Sequence, residues 1–531
     1  MAKTLDYDVL IIGSGMSGMA LCVQADRKFG PNVRIGLVEK SGDLGGTWHL
    51  NTYPGAGCDI PSHFYSFDFA PNPEWSHFMS RRDEIWKYQQ EVGRKFKIHD
   101  RTRFNTGCNG ANWDAEDRSW IVHCEDQLTG NKYDIRTRIL VPAVGGLHLP
   151  NDIGIQGSET FKGPIFHSAR WEKDVDLKGK NVIVVGNGCS ATQFVPIVCK
   201  EAKQVRQFVR SMHFLMPDPN FKYSSFARML FRYVPFLMKI YRLLIASVLD
   251  ASFAMFYVKG IGKHLRRIHQ KQTLKYIRDR CPQKYHDIVV PDFQIGCKRR
   301  VMDTGYLDCL HRDNMDVTRD GLVQIKENSV VTKSGQEYPA DVIILANGFK
   351  VGQFVVDIRG INGESLQEHW KKYQGPEAYF STCLNGFPNM FLSMGPNSAT
   401  GHFSYLFTSQ RQSDFIIRLL EEVIPTNGKA DKRKVIEVKE QAERKDVRWI
   451  EDETERTIVG KQGGCSAWYV QGGRNVALYP SFQAHFALRA RFVRWQDFTI
   501  DGKSAGSALG SWTRRLLPIA GAVGLAAAIA N

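Results

Sequence analysis

The sequence lacks several features that would place it in a specialised class of protein. Its 11 cysteines are scattered without a CxxC pair, so we predict no disulfide framework and no metal site, only free thiols in a reducing compartment. It has no run of about 18 or more uncharged apolar residues, and therefore no membrane-spanning helix is predicted. The first residues contain no apolar signal core, so we expect a cytoplasmic protein.

Acidic residues are fewer than basic ones, and this excess of positive charge narrows the class of partner. Lys and Arg number 70 and Asp and Glu number 55, which gives a formal net charge of +15. The balance favours anionic partners such as phosphorylated cofactors or acidic surfaces. Nucleic acid is not expected, because the sequence contains no recognisable nucleic-acid-binding module. With 531 residues, of which 43% are hydrophobic, the chain is long enough for about three globular units.

The first 39 residues contain the complete pattern of a dinucleotide-binding unit. An apolar run predicts a buried parallel strand, which leads into the GxGxxG motif of Gly13, Gly15 and Gly18, then a helix, then a second strand that ends at Glu39. The glycines allow a tight turn, a close approach of backbone amides to a pyrophosphate, and close packing of the helix on the strand. Glu39 can accept hydrogen bonds from an adenosine ribose. The pattern predicts a first cofactor site.

The loop after Glu39 resembles the GG(T/S)W segment of flavin monooxygenases, which lies against FAD. The dithiol flavin reductases, a rival family, carry redox cysteines where this chain has Trp48 and Tyr53. The one nearby thiol is Cys58, so no dithiol relay is available and that family is set aside. The resemblance implies FAD contacts at Gly46, Thr47, Trp48, Asp59, Ile60 and Tyr65.

A second unit of the same kind begins at an apolar strand over residues 182–185. A GxGxxA motif and a helix follow, and the next predicted strand ends at Arg210. A carboxylate suits the ribose 2′-hydroxyl of FAD at the first unit, whereas an arginine suits the 2′-phosphate of NADPH here. The alternative for Arg210 is a solvated surface arginine. The predicted contacts of this cofactor are Gly186, Asn187, Gly188, Cys189, Ser190, Ala191, Thr192, Gln193, Arg210 and Ser211.

The segment between the two units resembles the FxGxxxHxxxW(P/D) fingerprint of Baeyer–Villiger monooxygenases, a class B flavin monooxygenase family. Phe161, Gly163, His167 and Trp171 match the fingerprint, and Glu172 replaces its last residue. Related N- and S-oxygenating flavin monooxygenases usually carry Tyr or Phe at the position of Trp171. The resemblance extends over most of the chain.

Three further segments resemble this family and carry its implied site residues. Asp59, at the end of residues 51–59, matches an active-site aspartate. In the block that begins at residue 296, Arg299 falls on the active-site arginine and Lys298 on a 2′-phosphate contact. The neighbouring Arg300 leaves that register open by one residue. Trp468 lies in a segment similar to one that closes over NADP.

The resemblance implies an α/β fold with two Rossmann-like domains, and an enzyme that uses FAD, NADPH and O2 on a ketone. NADPH reduces the flavin, O2 adds at C4a, and the resulting peroxyflavin inserts one oxygen beside the carbonyl to give an ester or lactone. Arg299 would stabilise the anionic peroxide, and Asp59 would position that arginine. Two alternatives remain: an enzyme of the same fold that hydroxylates or oxidises N or S centres, and a non-catalytic dinucleotide-binding protein.

The predicted domains are an FAD domain from residues 1–150 and 351–531 and an NADP domain from residues 151–350. A helical insertion, about 212–295, is apolar and aromatic at first and basic afterwards, which suggests a bulky apolar ketone. We favour a solvated basic face for it; the alternative is an interfacial helix at a membrane. The apolar tail Leu516–Ala530 is too short to span a bilayer, although peripheral contact is an alternative. The sequence leaves the oligomeric state open.

Overall fold

The structure is a computed structural model that describes residues 3–350, 356–424, 433–465 and 467–507. Within these residues no helix is both long enough and apolar enough to cross a bilayer. The C-terminal tail that the sequence singled out lies outside the described residues.

The described helices alternate with strands over most of the chain. They are α1 Met16–Phe29, α2 Thr47–Leu50, α3 Arg82–Lys95, α4 Cys189–Val198, α5 Ser225–Tyr233, α6 Pro235–Ala251, α7 Gly260–Arg280, α8 His286–Val289, α9 Tyr306–Cys309, α10 Leu366–Lys372, α11 Tyr405–Val423, α12 Glu440–Glu455 and α13 Gln483–Arg491.

The described strands are short, and most of them belong to two large sheets. They are β1 Tyr7–Ile12, β2 Ile35–Val38, β3 Thr102–Arg103, β4 Thr106–Asp114, β5 Ser119–Asp126, β6 Lys132–Pro142, β7 Ile165–His167, β8 Asn181–Val185, β9 Gln204–Phe208, β10 Leu215–Pro217, β11 Val301–Asp303, β12 Met315–Thr318, β13 Leu322–Ile325, β14 Ser329–Thr332, β15 Glu337–Pro339, β16 Val342–Leu345, β17 Asp357–Arg359, β18 Ile436–Val438, β19 Val470–Gln471, β20 Arg474–Asn475, β21 Phe498–Ile500 and β22 Lys503–Ser504.

The first large sheet has the strand order β17-β4-β5-β6-β1-β2-β3. β1 lies between β6 and β2 and is parallel to both, while β5 is antiparallel to both of its neighbours, β4 and β6. The apolar residues of β1, such as Leu10 and Ile11, are fully buried, as expected for a parallel strand covered on both faces. Helices α1 and α11 pack together against one of these faces.

The second large sheet has the order β12-β9-β8-β16-β7, and all of its neighbouring strands are parallel. Helices α5 to α8 follow β10 and form the predicted helical insertion. The predicted fold class, α/β with two Rossmann-like units, is confirmed. The exact domain boundaries stay a prediction.

The helix of the second unit carries a proline in its interior. Pro196 cannot donate to the carbonyl oxygen four residues earlier, which belongs to Thr192. The hydroxyl of Thr304 donates to that oxygen instead, at 3.3 Å. The helix begins at Cys189, directly after Gly188, whose backbone is extended.

The prediction that all cysteines are free thiols is wrong at two positions. Cys297 and Cys465 form a disulfide with a Cα–Cα distance of 5.0 Å. The two residues are 168 positions apart, so only the folded chain brings them together. The other nine cysteines are free.

Candidate active site between two dinucleotide units

The first glycine turn is too crowded to accept side chains. Gly13 has a φ of +102°, and a Cβ on it would lie 2.7 Å from the carbonyl oxygen of Ala143. A Cβ on Gly18 would lie 2.0 Å from the carbonyl oxygen of Gly13. A Cβ on Gly46 would lie 3.0 Å from the Cα of Gly15, so the loop before α2 closes against this turn. The glycines therefore occupy positions that backbone packing requires.

Glu39 lies at the carboxyl end of β2, as predicted, and is held by four hydrogen bonds. The backbone N–H and hydroxyl of Ser14 donate to Oε2 at 2.8 and 2.9 Å, and the corresponding groups of Ser41 donate to Oε1 at 2.9 and 2.7 Å. A carboxylate offers about four acceptor positions. A ribose hydroxyl would therefore replace one of the two serine hydroxyls, and this contact stays a prediction.

The predicted flavin contacts of the first unit lie close together. The indole N–H of Trp48 donates to the hydroxyl of Tyr65 at 3.2 Å, and the two rings meet edge to face. Burial raises the pKa of Tyr65, which keeps its hydroxyl protonated. Ile60 is buried next to Phe64. Thr47 begins α2 immediately after Gly46.

The second glycine turn combines a crowded position with an open one. Gly186 has a φ of +106°, and a Cβ on it would lie 2.2 Å from the carbonyl oxygen of Ala346. No atom lies within 4 Å of the Cβ position of Gly188, which directly precedes α4. Backbone amides at the start of a helix that faces open space suit a pyrophosphate.

Other predicted residues of this unit have partners within the chain. The side-chain amide of Asn187 donates to the carbonyl oxygen of Ser211 at 2.8 Å. Gln193 accepts from the hydroxyl of Tyr53 at 2.9 Å and donates to the carbonyl oxygen of Gly57 at 3.1 Å. Gln193 thus joins the two units. Of the remaining predicted contacts, Ala191 and Thr192 are buried, whereas Cys189 and Ser190 are half-buried.

Two cations converge beyond the carboxyl end of β9. Lys298 donates to the hydroxyl of Ser211 at 2.5 Å, and its ammonium lies over the ring of Phe293. Burial and then the charge of Arg210 lower the pKa of Lys298. Arg210 itself is exposed. An anionic group between these cations would relieve their repulsion, and the 2′-phosphate of NADPH is such a group.

Arg299 and Asp59 form a two-point ion pair. The Nε and Nη2 atoms of Arg299 donate to the two carboxylate oxygens of Asp59 at 2.8 and 2.6 Å. Burial alone disfavours charge on both groups. The guanidinium outweighs burial and lowers the pKa of Asp59, and the carboxylate likewise raises the pKa of Arg299. Both groups therefore stay charged at neutral pH.

The neighbouring Arg300 has a different environment. Burial and then the charge of Arg299 lower its pKa, and no ion pair of Arg300 occurs among the described residues. The sequence left the register open between these two arginines. The geometry favours Arg299 as the arginine that Asp59 orients.

Both arginines line a cleft that opens to solvent. Trp468 lines it as well, and its contact with NADP stays a prediction. Sequence reasoning missed several of the cleft residues, because they lie outside every recognisable motif. The residues lining the cleft are Phe256, Gly296, Lys298, Arg299, Arg300, Thr400, Gly401, Tyr405, Trp468, Tyr469 and Leu478.

The residues on either side of Trp468 are linked to Cys297, which directly precedes Lys298 and Arg299. The disulfide joins Cys465 to Cys297, and the hydroxyl of Tyr469 donates to the carbonyl oxygen of Cys297. The disulfide therefore links two sides of the cleft.

His167, the histidine of the linker, has a structural role. Its Nδ1 accepts from the backbone N–H of Ala169 at 3.0 Å, and its Nε2 lies 3.1 Å from the carbonyl oxygen of Gly348. This arrangement requires the neutral tautomer with hydrogen on Nε2. Burial lowers the pKa of His167 and keeps the ring neutral. These contacts attach the linker to the loop that follows β16.

Comparisons with known proteins agree with this geometry. The family described as "NAD(P)-binding Rossmann-like domain" matches residues 11–82, and the family described as "L-lysine 6-monooxygenase/L-ornithine 5-monooxygenase" matches residues 64–235. The solved structure of OTEMO in complex with FAD and NADP is similar over 94% of this chain and 100% of the OTEMO chain, with a TM-score of 0.80 and 24% sequence identity. The structure of an oxidised steroid monooxygenase bound to NADP is similar over 93% of this chain and 99% of its own chain, with a TM-score of 0.79 and 25% sequence identity.

A curated relative identifies the family. The Baeyer–Villiger monooxygenase of Pseudomonas aeruginosa is 33% identical over 488 residues, which span 91% of this chain and 89% of the relative. The predicted family and enzyme class are thereby confirmed. With both glycine turns, the Asp59–Arg299 pair and this relative in agreement, the chain belongs to the Baeyer–Villiger monooxygenases.

Proposed function

We propose that this enzyme uses FAD, NADPH and O2 to insert one oxygen beside the carbonyl of an apolar ketone. The observation that carries the proposal is the Arg299–Asp59 pair, in which Asp59 of the first dinucleotide-binding unit holds Arg299 at the lining of the cleft. The glycine turns support the two cofactors, because Gly13, Gly18 and Gly186 let the backbone pack closely, and Gly188 leaves open space beside the start of a helix, where a pyrophosphate can bind. When it is bound and reduced, FAD supplies the activation of O2.

Arg299 provides a fixed positive charge to the cleft. Its guanidinium has five N–H donors, and Asp59 accepts from Nε and Nη2, so further donors remain for a substrate or an oxygen atom. Because Asp59 raises the pKa of Arg299, this charge persists during turnover. The two-point contact also fixes the guanidinium plane. Arg299 would stabilise negative charge on the oxygen that is transferred, and Asp59 is its positioning residue.

Part of the lining of the cleft suits an apolar substrate, and binding of such a substrate would displace water from beside Arg299. Phe256, Trp468 and Leu478 present apolar surface beside the arginines. An apolar wall strengthens the electrostatic effect of Arg299, because little water screens its charge. This combination favours a ketone with one polar carbonyl on a bulky hydrocarbon frame.

Oxygenation of nitrogen is the second candidate function, and one observation favours it. The family of lysine and ornithine monooxygenases matches residues 64–235. A substrate amine would itself be cationic, however, and the cleft already presents Lys298, Arg299 and Arg300. Like charges disfavour such a substrate. Product analysis with a ketone, a sulfide and an amine separates the two functions.

The test is oxygen transfer by the purified, flavin-loaded enzyme with NADPH. We expect ketones to gain one oxygen by mass. In Arg299→Ala the reduction of flavin by NADPH should persist, while ketone oxygenation falls about 100-fold or more and hydrogen peroxide is released. Arg300→Ala is the matched control and should retain at least a third of the wild-type rate. If Arg300→Ala loses oxygenation and Arg299→Ala keeps it, the assignment to Arg299 is wrong.

A further inference from the structure

The helical insertion exposes an unusual amount of apolar surface. Among the described residues, most of the large apolar side chains that are well exposed belong to one segment, residues 221–268. Soluble proteins rarely expose large contiguous apolar patches, and such patches mark sites of interaction. The exposed apolar residues of this segment are Phe221, Phe226, Met229, Tyr233, Val234, Phe236, Leu237, Ile240, Leu244, Val248, Ile261, Leu265 and Ile268.

Helix α6 is apolar on two opposite sides. Its inward side packs Ile245 and Ala246 against the protein core. Its outward side, which we call the α6 outer face, consists of Leu237, Ile240, Leu244 and Val248. The spacing of three, four and four residues places these side chains in one stripe along the helix. Apolar helix faces are normally buried. The α6 outer face is exposed instead, and no segment of the described part of the chain covers it.

Helix α7 repeats the pattern at its start and adds positive charge. Ile261, Leu265 and Ile268 are exposed at helical spacing. Exposed basic residues that form no ion pair among the described residues lie at and along the start of α7, with one more on α6. These residues are Lys239, Lys259, Lys263, Arg267 and Lys271. Both helices pack against the turn that joins them, residues 252–256.

Negative charge is absent from the exposed surface of the same segment. Between residues 221 and 278 the sequence contains one acidic residue, Asp250. It is buried, and it accepts from the backbone N–H groups of Gln483 and Ala484 at 2.7 and 3.0 Å. The exposed charges of this segment are therefore all positive. A partner must offer both apolar material and negative charge.

We propose that the α6 outer face and the start of α7 dock this enzyme on the surface of a membrane that contains anionic lipids. Apolar side chains of an interfacial helix enter the boundary between headgroups and acyl chains, while Lys and Arg bind acidic headgroups. A second copy of the chain fits less well, because a symmetric contact would bring two positively charged faces together. An acidic protein would satisfy the charge, but protein interfaces are depleted in lysine, in which this face is rich.

The position of the face relative to the cleft gives docking a use. On its inward side, α6 packs against Ile60 and Phe64, next to Asp59 in the chain. The turn after α6 contributes Phe256 to the cleft that contains Arg299. One continuous segment, residues 235–256, thus reaches from the α6 outer face to the cleft. A substrate dissolved in the bilayer would arrive close to the site of chemistry.

Vesicle co-sedimentation of the full-length, flavin-loaded enzyme tests the proposal. We expect binding at low salt to vesicles of equimolar phosphatidylserine and phosphatidylcholine, and much weaker binding to phosphatidylcholine alone. The double variant L244Q/V248Q and the triple variant K263Q/R267Q/K271Q should each lower the partition coefficient about tenfold or more. NADPH oxidation with a water-soluble ketone should stay unchanged in both variants, which shows that they fold.

Leu128→Gln is the matched control, because Leu128 is 77% exposed at a turn between β5 and β6, far along the chain from α6 and α7. It should bind vesicles as the wild type does. Three results would overturn the proposal. One is no binding to acidic vesicles at low salt, which would leave an acidic protein as the partner. Another is undiminished binding by both variants. The third is concentration-dependent dimerisation that L244Q/V248Q abolishes, without any vesicle binding, which would assign the face to a second copy.

Discussion

Both glycine turns are crowded at their first glycine, but the chain covers the second glycine of the first turn and leaves the second glycine of the second turn open. Gly15 and Gly188 are equivalent, since each is the second glycine of its motif and directly precedes a helix. Gly15 faces the Cα of Gly46, but no atom lies near the Cβ position of Gly188. The loop that begins α2 covers the first turn, and the described chain has no counterpart at the second. The difference fits a first cofactor that stays enclosed and a second that enters and leaves in each cycle.

Gly18→Ala should have the largest effect, because its Cβ would lie 2.0 Å from a backbone carbonyl oxygen. We expect the free energy of unfolding to fall by about 3 kcal/mol and the purified protein to lose most of its FAD. Thermal unfolding and the ratio of flavin to protein absorbance measure both effects. Full flavin content in this variant would contradict the packing of the first turn.

Arg210→Gln should affect the second cofactor alone. Loss of the cation that would meet the 2′-phosphate should raise the KM for NADPH about tenfold, which corresponds to about 1.4 kcal/mol. The KM for NADH, which lacks this phosphate, should change less than twofold. Steady-state kinetics with both nucleotides provide the internal control. An equal change for both would show that Arg210 is a solvated surface residue.

Cys465→Ser should have a smaller effect on the same unit. Without the disulfide, the Trp468 segment keeps the hydrogen bond from Tyr469 to Cys297 but loses its covalent link. We expect the Kd for NADPH to rise about threefold through the greater freedom of this segment. Cys309→Ser, at a free buried cysteine, controls for the loss of a thiol. Unchanged nucleotide binding in Cys465→Ser would exclude a role for the disulfide in closing the cleft.

Gly188→Ala should have the smallest effect, because it tests an open position of the second turn, in contrast to the crowded Gly18 of the first. A methyl group fits the open space beside Gly188, so the free energy of unfolding should change by less than about 1 kcal/mol. FAD content should stay normal. The methyl group would still narrow the approach to the pyrophosphate, and the KM for NADPH should rise two- to threefold. A protein without flavin would contradict the separation of the two units.

Local patterns predicted the strands and turns of both units well. The apolar run of β1 reads as a buried parallel strand because both of its faces are covered. The structure places the start of α1 at Met16, directly after Gly15. Family resemblance, rather than periodicity, brought Asp59 and Arg299 together as a candidate pair. The cleft residues Phe256 and Tyr405 escaped prediction, because their place depends on the packing of distant segments.

By itself, the sequence determined the two glycine turns, their order and the charge of the residue that ends each second strand. These features depend on backbone conformation within a few residues, and local sequence controls that conformation. Only the tertiary structure decided that Asp59 meets Arg299 across 240 positions, that Cys297 meets Cys465, and that the stripe of α6 faces outward. Each of these depends on contacts between segments far apart in the chain, and no local pattern encodes which segments will meet.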